Sequence, residues 1–506
     1  MALTLGQRLF AHGGIYVASR LANRGMGIVL LPIYAHYLGT EGYGIVRILA
    51  PFGVFAGLLF AQGLPAAWFR LRFDQEGFSE LKVFESTVIW YLIASTTLGV
   101  VLVSCFGGAI SQWITKGIPF FPLGFLTIIG AGLSVFANLY ERKLQAEQRP
   151  VAFSIYSGIR TLSTLLTIIL FVVTFQWGVF GKISAEVLCT GILASVAFLI
   201  IRPSSPWESS TARLKEALDF GLPLVPHSLA ITTNEMVGIL VINSELGLEN
   251  AGIYGVGLTI GAVSSVLTVG LNQAFSPIFV KAVRESEKAE SRGDSQLASE
   301  IRSQVARSNL LMPALVGCFA LAITTISKET IYFLTPEEFH LSWKVVAPIS
   351  GAVIAISFYN SFNQSVFYNP KRIRWVAFVS IFTAAVNLGL CVFLVREFGL
   401  MGAAFSGLIS NTIMALLIFC LGKSATDLTY RWTNWLGVIG LISMGLTIIW
   451  FLDASIEGVI PCLLAKVMTL TFFVYGVFNL AGVAPRHAFR FASNLSERIR
   501  SPHSKK

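Results

Sequence analysis

Charge is scarce in this chain. Charged side chains make up 13% of its 506 residues, 27 Asp and Glu against 37 Lys and Arg, about half the share found in soluble domains. That deficit excludes an ordinary water-facing globular domain. With 54% apolar residues and a mean hydropathy of +0.71, the composition points to a chain that lives in a bilayer. Cysteine is sparse too: Cys105, Cys189, Cys318, Cys391, Cys420 and Cys462 fall within or at the ends of apolar segments, and none forms a close pair resembling a metal or redox motif. The chain also lacks a glycine-rich phosphate loop followed by Lys, a metal-spaced His and Cys set, and a nucleophile with a base, so it is not expected to be an enzyme. No cofactor is implied. A cleavable leader is not expected either, because Arg20 and Arg24 interrupt the first apolar segment and no small-residue cleavage site follows a short apolar core.

What the chain has in abundance is long apolar runs. A helix needs roughly 20 apolar residues to cross about 30 Å of hydrocarbon. Runs of that kind lie near 13–37, 43–66, 86–108, 118–140, 151–176, 178–201 and 218–242, then 252–275, 309–331, 345–368, 373–395, 401–422, 432–453 and 458–481. The expected fold is therefore an all-α polytopic membrane protein with about 14 transmembrane helices. Lys and Arg crowd into the N-terminal tail, the even-numbered connections and the C-terminal tail, while the odd-numbered connections hold Lys116, Lys328, Lys344 and Arg396. Cationic loops stay cytoplasmic, so both termini are expected on the cytoplasmic side. This bias and attraction to anionic headgroups account for the net charge of +10 without a nucleic-acid partner. The connection 281–308, with six basic and five acidic residues, reads as a charged helix on the cytoplasmic surface or a solvated connector.

The chain also looks duplicated. After helix 1 comes Leu38-Gly39-Thr40-Glu41-Gly42-Tyr43-Gly44, and after helix 7 comes Leu246-Gly247-Leu248-Glu249-Asn250-Ala251-Gly252-Ile253-Tyr254-Gly255, at an offset near 210. Trp177-Gly178-Val179-Phe180-Gly181 before helix 6 is matched by Phe398-Gly399-Leu400-Met401-Gly402 before helix 12, at an offset of 221. Two pseudo-symmetric six-helix bundles, 1–201 and 218–422, follow from this pairing. A linker, 202–217, joins them, and 423–506 adds two further helices and a basic tail.

With these turns and the appended pair, the chain resembles the polysaccharide transporter branch of the multidrug/oligosaccharidyl-lipid/polysaccharide (MOP) flippase superfamily. The resemblance implies a protein of the bacterial inner membrane. It would flip undecaprenyl-pyrophosphate-linked oligosaccharide by alternating access for O-antigen, capsule or exopolysaccharide assembly, with polymerase or assembly proteins as partners. A lipid II flippase and a MATE-like cation-coupled exporter are the alternatives. A membrane polymerase or ligase would need a larger outer domain than the connection 332–344, which offers Glu337, Glu338, His340 and Lys344.

Ionisable groups inside the spans are expensive to insert and mark cavities or pairs. Arg20 and Arg24, one turn apart with Asn23 beside them, form a cationic stripe suited to a pyrophosphate, since guanidinium presents paired donors to phosphate oxygens. The other reading is an internal ion pair with Glu186 or Glu235. Arg47 either lines the cavity or snorkels to the interface, and Lys182 is expected to snorkel. Arg160 lies deeper, and Lys466 is a candidate for steadying a lipid-bearing groove beside the added helices. Pro223 and Pro226 open helix 7 as a candidate hinge, with His227, Asn234 and Gly238 beyond them on a shared face. Glu235 and Glu186 are candidates for Na+ or H+ coupling, Glu235 equally for a salt bridge. Tyr359, Asn360, Asn363 and Gln364 form a polar stripe that fits either sugar contact or interhelical hydrogen bonding.

Overall fold

No water reaches the bilayer core to satisfy backbone N–H and C=O groups, so a chain this apolar has to bond its backbone internally. The computed structural model of the protein describes residues 5–72, 77–114, 117–201, 209–368, 372–423, 428, 430–456 and 458–481, and the side chains of its first helix from residue 25 on. Among the described residues it is helical, with no strand. The first half of the chain forms α1 (Leu5–Ala61), α2 (Leu64–Leu71), α3 (Phe78–Ile114), α4 (Phe125–Ala146), α5 (Pro150–Ile168), α6 (Gly178–Ile201) and α7 (Thr211–Gly221). There follow α8 (Leu224–Leu246), α9 (Leu248–Gly261), α10 (Ser265–Ser291), α11 (Ser295–Leu334) and α12 (Trp343–Tyr368). The last four are α13 (Ile373–Phe398), α14 (Leu400–Lys423), α15 (Trp432–Ser455) and α16 (Val459–Leu480).

Thirteen helical stretches among the described residues are long and apolar enough to cross a membrane. The first, Gly25–Ala61, is two segments joined at Gly39, whose φ of 65° breaks the helix, which brings the number of crossings to the expected count of about 14. Large apolar side chains stand uncovered by protein, such as Met468 at 74% and Phe472 at 68% exposure on α16. Lipid solvates these surfaces, as water would not. The protein is a multi-pass membrane protein.

The duplicated turns share their backbone as well as their letters. Gly39 (φ 65°, ψ −174°) and Gly247 (φ 88°, ψ 176°) take the same left-handed extended conformation, and Gly178 and Gly399 have φ of 55° and 58°. Side chains with a Cβ rarely adopt these angles, so the glycines at matched positions are conformational requirements. Just past the first pair, α1 and α9 cross backbone to backbone. A Cβ on Gly44 would lie 2.1 Å from the Leu248 carbonyl oxygen, and one on Gly252 would lie 2.0 Å from that of Thr40. Gly39 and Gly247, Thr40 and Leu248, and Gly44 and Gly252 are each 208 residues apart, so the contact is reciprocal, as at a two-fold axis.

By contact, the chain divides into two compact units. The first gathers residues 1–259, 331–342 and 374–410, and the second 260–330, 343–373 and 411–506. Contact and repeat thus partition the chain by different criteria.

The charged stretch 281–308 is a hairpin. Its arms are the extensions of α10 and α11, turned at Gly293 with φ 83°. Asp294 caps α11 by accepting the Leu297 amide at 3.0 Å. A separate surface helix does not form because one face of each arm is apolar: Phe279, Val283 and Val305 pack with Leu428, while Arg302 and Glu290 pair on the outer face. The linker residues 202–208, the tail beyond 481, and Lys371 lie outside the described residues.

Candidate substrate cavity

A cavity of about 750 Å³ opens within the first unit. Three helices each turn one stripe toward it at helical spacing. From α1 come Val46, Leu49, Ala50, Gly53, Val54, Gly57, Leu58 and Ala61. From α4 come Thr127, Gly130, Ser134, Asn138, Glu141, Arg142 and Gln145, and from α6 come Lys182, Ile183, Glu186, Val187 and Thr190. α5 adds Arg160 and Thr164. The α1 wall is small and apolar, and the facing walls carry the polar groups. One end is bounded by the turns at Gly63 and at Leu224 and Val225. Here a Cβ on Gly63, which has φ 74°, would lie 2.1 Å from the Gly221 carbonyl oxygen, so the two chain segments meet without side chains between them.

The cavity carries three cations and two carboxylates. Lys182 Nζ donates to Glu186 Oε2 at 2.8 Å, one turn on along α6. Arg160 Nη1 donates to Glu141 Oε1 at 2.9 Å and to Asn138 Oδ1 at 3.3 Å, joining α5 to α4. Arg142 lines the wall as well. Three cations thus face two carboxylates among the lining residues, in a setting where field strength exceeds that in water.

Several expectations are corrected by these contacts. Lys182 does not snorkel: it is 7% exposed and faces the cavity, because Glu186 offers a nearer counter-charge than the interface does. Lys466 lines no groove. It has no exposed surface, and its ammonium bonds Glu329 at 2.7 and 2.9 Å and Asp453 at 2.9 Å, an ion triad that ties α16 to α11 and α15. Pro226 sits in the first turn of α8 and Pro223 at its N-cap, where the missing amide has no helical partner to lose. The candidate hinge therefore falls at the boundary between α7, which ends at Gly221, and α8, which starts at Leu224.

Other candidates are placed as follows. Arg20, Asn23 and Arg24 lie on the α1 helix, with side chains outside the described residues. Arg47 is half-buried and packs on Gly255 of α9, where a Cβ would lie 2.7 Å from its Cγ. Its Nε has no partner among the described residues, and the cavity wall passes through its neighbours Val46 and Leu49. Glu235 is exposed on α8, away from the residues lining the cavity. Asn234, on the same helix, accepts from Asn387 at 2.8 Å and Ser410 at 3.3 Å, an interhelical polar knot. In the second unit Asn363 donates to Tyr359 Oη at 3.1 Å and Gln364 to Asn272 at 2.6 Å, with Asn360 partly exposed beside them. Sequence reasoning missed Asn138, Glu141 and Arg142 as cavity residues. The signal that could have found them is the polar period 134, 138, 141, 145 at the end of an otherwise apolar run.

Long apolar helices, an internal repeat built on matched glycines and a polar cavity inside the first unit make up a multi-pass membrane architecture. Residues 9–283 match the family described as polysaccharide biosynthesis protein, and the chain belongs to that family. Over 290 residues it is 23% identical to a protein of the Lsg locus of Haemophilus influenzae, covering 55% of this chain and 68% of that one. Its fold is similar to the inward-facing conformation of a multidrug resistance MATE family transporter of the MOP superfamily, with a TM-score of 0.64 and 14% identity over 80% of this chain and 93% of that one. It is equally similar to lipid II flippase MurJ in an inward closed conformation, with a TM-score of 0.64 and 15% identity over 91% and 98%. At these identities the likeness is one of fold. The resemblance read from the turn motifs agrees with the polysaccharide biosynthesis family that the chain belongs to and with a fold shared by a MATE transporter of the MOP superfamily and by MurJ.

Proposed function

We propose that the protein moves a polyprenyl-pyrophosphate-linked oligosaccharide from the cytoplasmic to the outer leaflet of the bacterial inner membrane by alternating access, serving O-antigen, capsule or exopolysaccharide assembly. The observation that carries this reading is the cavity, with Lys182, Arg160 and Arg142 set against Glu141 and Glu186, in a chain of a polysaccharide biosynthesis family. A net cationic, polar cavity suits an anionic head group and hydroxyl-rich sugars and disfavours an organic cation. The polyprenyl chain stays in lipid while the head group passes through protein. Arg20 and Arg24 capture the pyrophosphate from the first half of α1. Glu235 or Glu186 serves Na+ or H+ coupling, both termini face the cytoplasm, and a polymerase receives the product.

Flipping of a short-sugar polyprenyl-pyrophosphate in proteoliposomes tests this, comparing the native protein with Arg24→Ala and Arg24→Lys. Transport lost in the first and partly kept in the second, with both folded, supports a cationic pyrophosphate site. Equal rates in all three remove Arg24 from the mechanism. A native protein that expels organic cations and leaves the lipid-linked sugar unmoved belongs to the drug-exporter alternative.

A further inference from the structure

The two ion pairs stand at opposite ends of the cavity. A Cβ on Gly130 of α4 would touch Val187 of α6 at 3.2 Å, and one on Gly191 would touch Leu133 at 3.4 Å, so the two helices run parallel. Residue 182 is then level with residue 125 or so. Glu141 lies some sixteen residues further along, roughly 24 Å at 1.5 Å per residue, and even long side chains leave the two cations much farther apart than the two phosphates of one pyrophosphate.

Each pair also has spare capacity. An ammonium carries three donors and a guanidinium five. Among the described residues Lys182 gives one to Glu186, and Arg160 engages Glu141 and Asn138 through a single nitrogen. Lys182 is more than nine-tenths buried yet faces the cavity. A buried ammonium with unused donors aimed into a cavity is built to accept an anion. Its carboxylate partner is looser, since Glu186 has 45% of its side chain exposed against 9% for Lys182. The cation is fixed and the carboxylate is free to leave.

The geometry points to two phosphate stations used in turn, Arg160 at one end of the cavity and Lys182 at the other, with Glu186, the more exposed partner of its pair, as a placeholder that an arriving phosphate or pyrophosphate displaces. Glu186 keeps Lys182 paired when no anion is present and returns to it when the anion leaves, so that station binds weakly enough to release. This rests on the transport reading above and adds the order and the residues of the passage.

The test is binding of inorganic pyrophosphate and of a short polyprenyl-pyrophosphate to the full-length protein in detergent, by thermal shift and titration, together with flipping in proteoliposomes. Glu186→Gln leaves Lys182 charged and unopposed. It is expected to bind both probes about tenfold more tightly, the weight of one charged hydrogen bond, and to flip more slowly than native. Lys182→Gln is expected to lose that tightening in the double variant with Glu186→Gln, and Lys182→Arg to keep binding. Glu300→Gln, on the exposed hairpin, serves as the control. Glu186→Gln binding both probes no more tightly than native, in a protein that flips normally, overturns the placeholder role and leaves the transport reading standing. Tightened binding in Glu186→Gln, together with a native protein that flips no lipid-linked sugar, upholds the station and removes the transport reading.

Discussion

Replacing Lys466 with Met leaves two carboxylates in a membrane-spanning setting without their counter-charge. Lys466 has no exposed surface and Asp453 is 3% exposed, while the ammonium makes three charged hydrogen bonds, two to Glu329 and one to Asp453. Removing one partner of a buried ion pair costs about 3–5 kcal/mol, because the remaining charge is stranded. Lys328 softens the loss: it donates to the Asp453 carbonyl oxygen at 2.5 Å and lies 5.2 Å from the Trp343 ring centroid, so one cation remains nearby. The lower end of the range, about 3 kcal/mol, is therefore expected for Lys466→Met. Thermal unfolding followed by tryptophan fluorescence in detergent reads it as a clear drop in midpoint. The triple change Lys466→Met, Glu329→Gln, Asp453→Asn removes the charges together and is expected to recover most of the loss, since well-packed neutral groups often match a buried ion pair. A Lys466→Met midpoint indistinguishable from native would refute the reasoning and return Lys466 to the lipid-facing role that its sequence position suggested.

Three further outcomes follow from particular contacts. Gly44→Ala and Gly252→Ala each place a methyl about 2 Å from a backbone carbonyl oxygen, which no rotamer can relieve, so each is expected to lower stability by about 1–3 kcal/mol in the same thermal assay. Gly389→Ala, in the middle of α13 with nothing within 4 Å of the added Cβ, is expected to raise it by about 0.5–1 kcal/mol through helix propensity alone. Asn234→Ala removes one of two acceptors of the Asn387 amide, which is 1% exposed and keeps the Asn234 backbone carbonyl at 3.0 Å, and is expected to lower stability by about 0.5–1.5 kcal/mol.

Much of the fold was legible because the bilayer imposes a length and a hydropathy on each crossing, and because the glycines of the repeat are fixed by backbone angles that other residues avoid. Gly39 with Gly247 and Gly178 with Gly399 were matched in sequence and matched again in φ. The extension of α10 and α11 into a hairpin was hidden, since a charged stretch reads as solvent-facing until the apolar face formed by Phe279, Val283 and Val305 finds Leu428. Within the cavity, the Lys182 and Glu186 pair was readable in principle, being one helical turn apart on a single helix. Arg160 with Glu141 was not, because their meeting depends on how α5 packs against α4. Lys466 misled for the same reason: its partners Glu329 and Asp453 come from two other helices, at sequence separations of 137 and 13 residues, and nothing local distinguishes a buried triad from a groove.

The central claim is that the cavity passes a pyrophosphate-linked glycan. The direct measurement is leaflet-to-leaflet transport by the native protein in proteoliposomes, run side by side with a polyprenyl-pyrophosphate-linked oligosaccharide, the same glycan on a neutral lipid, and a lipophilic organic cation. The account predicts movement of the first alone. Transport of the cation, or of the neutral glycolipid at an equal rate, would contradict it.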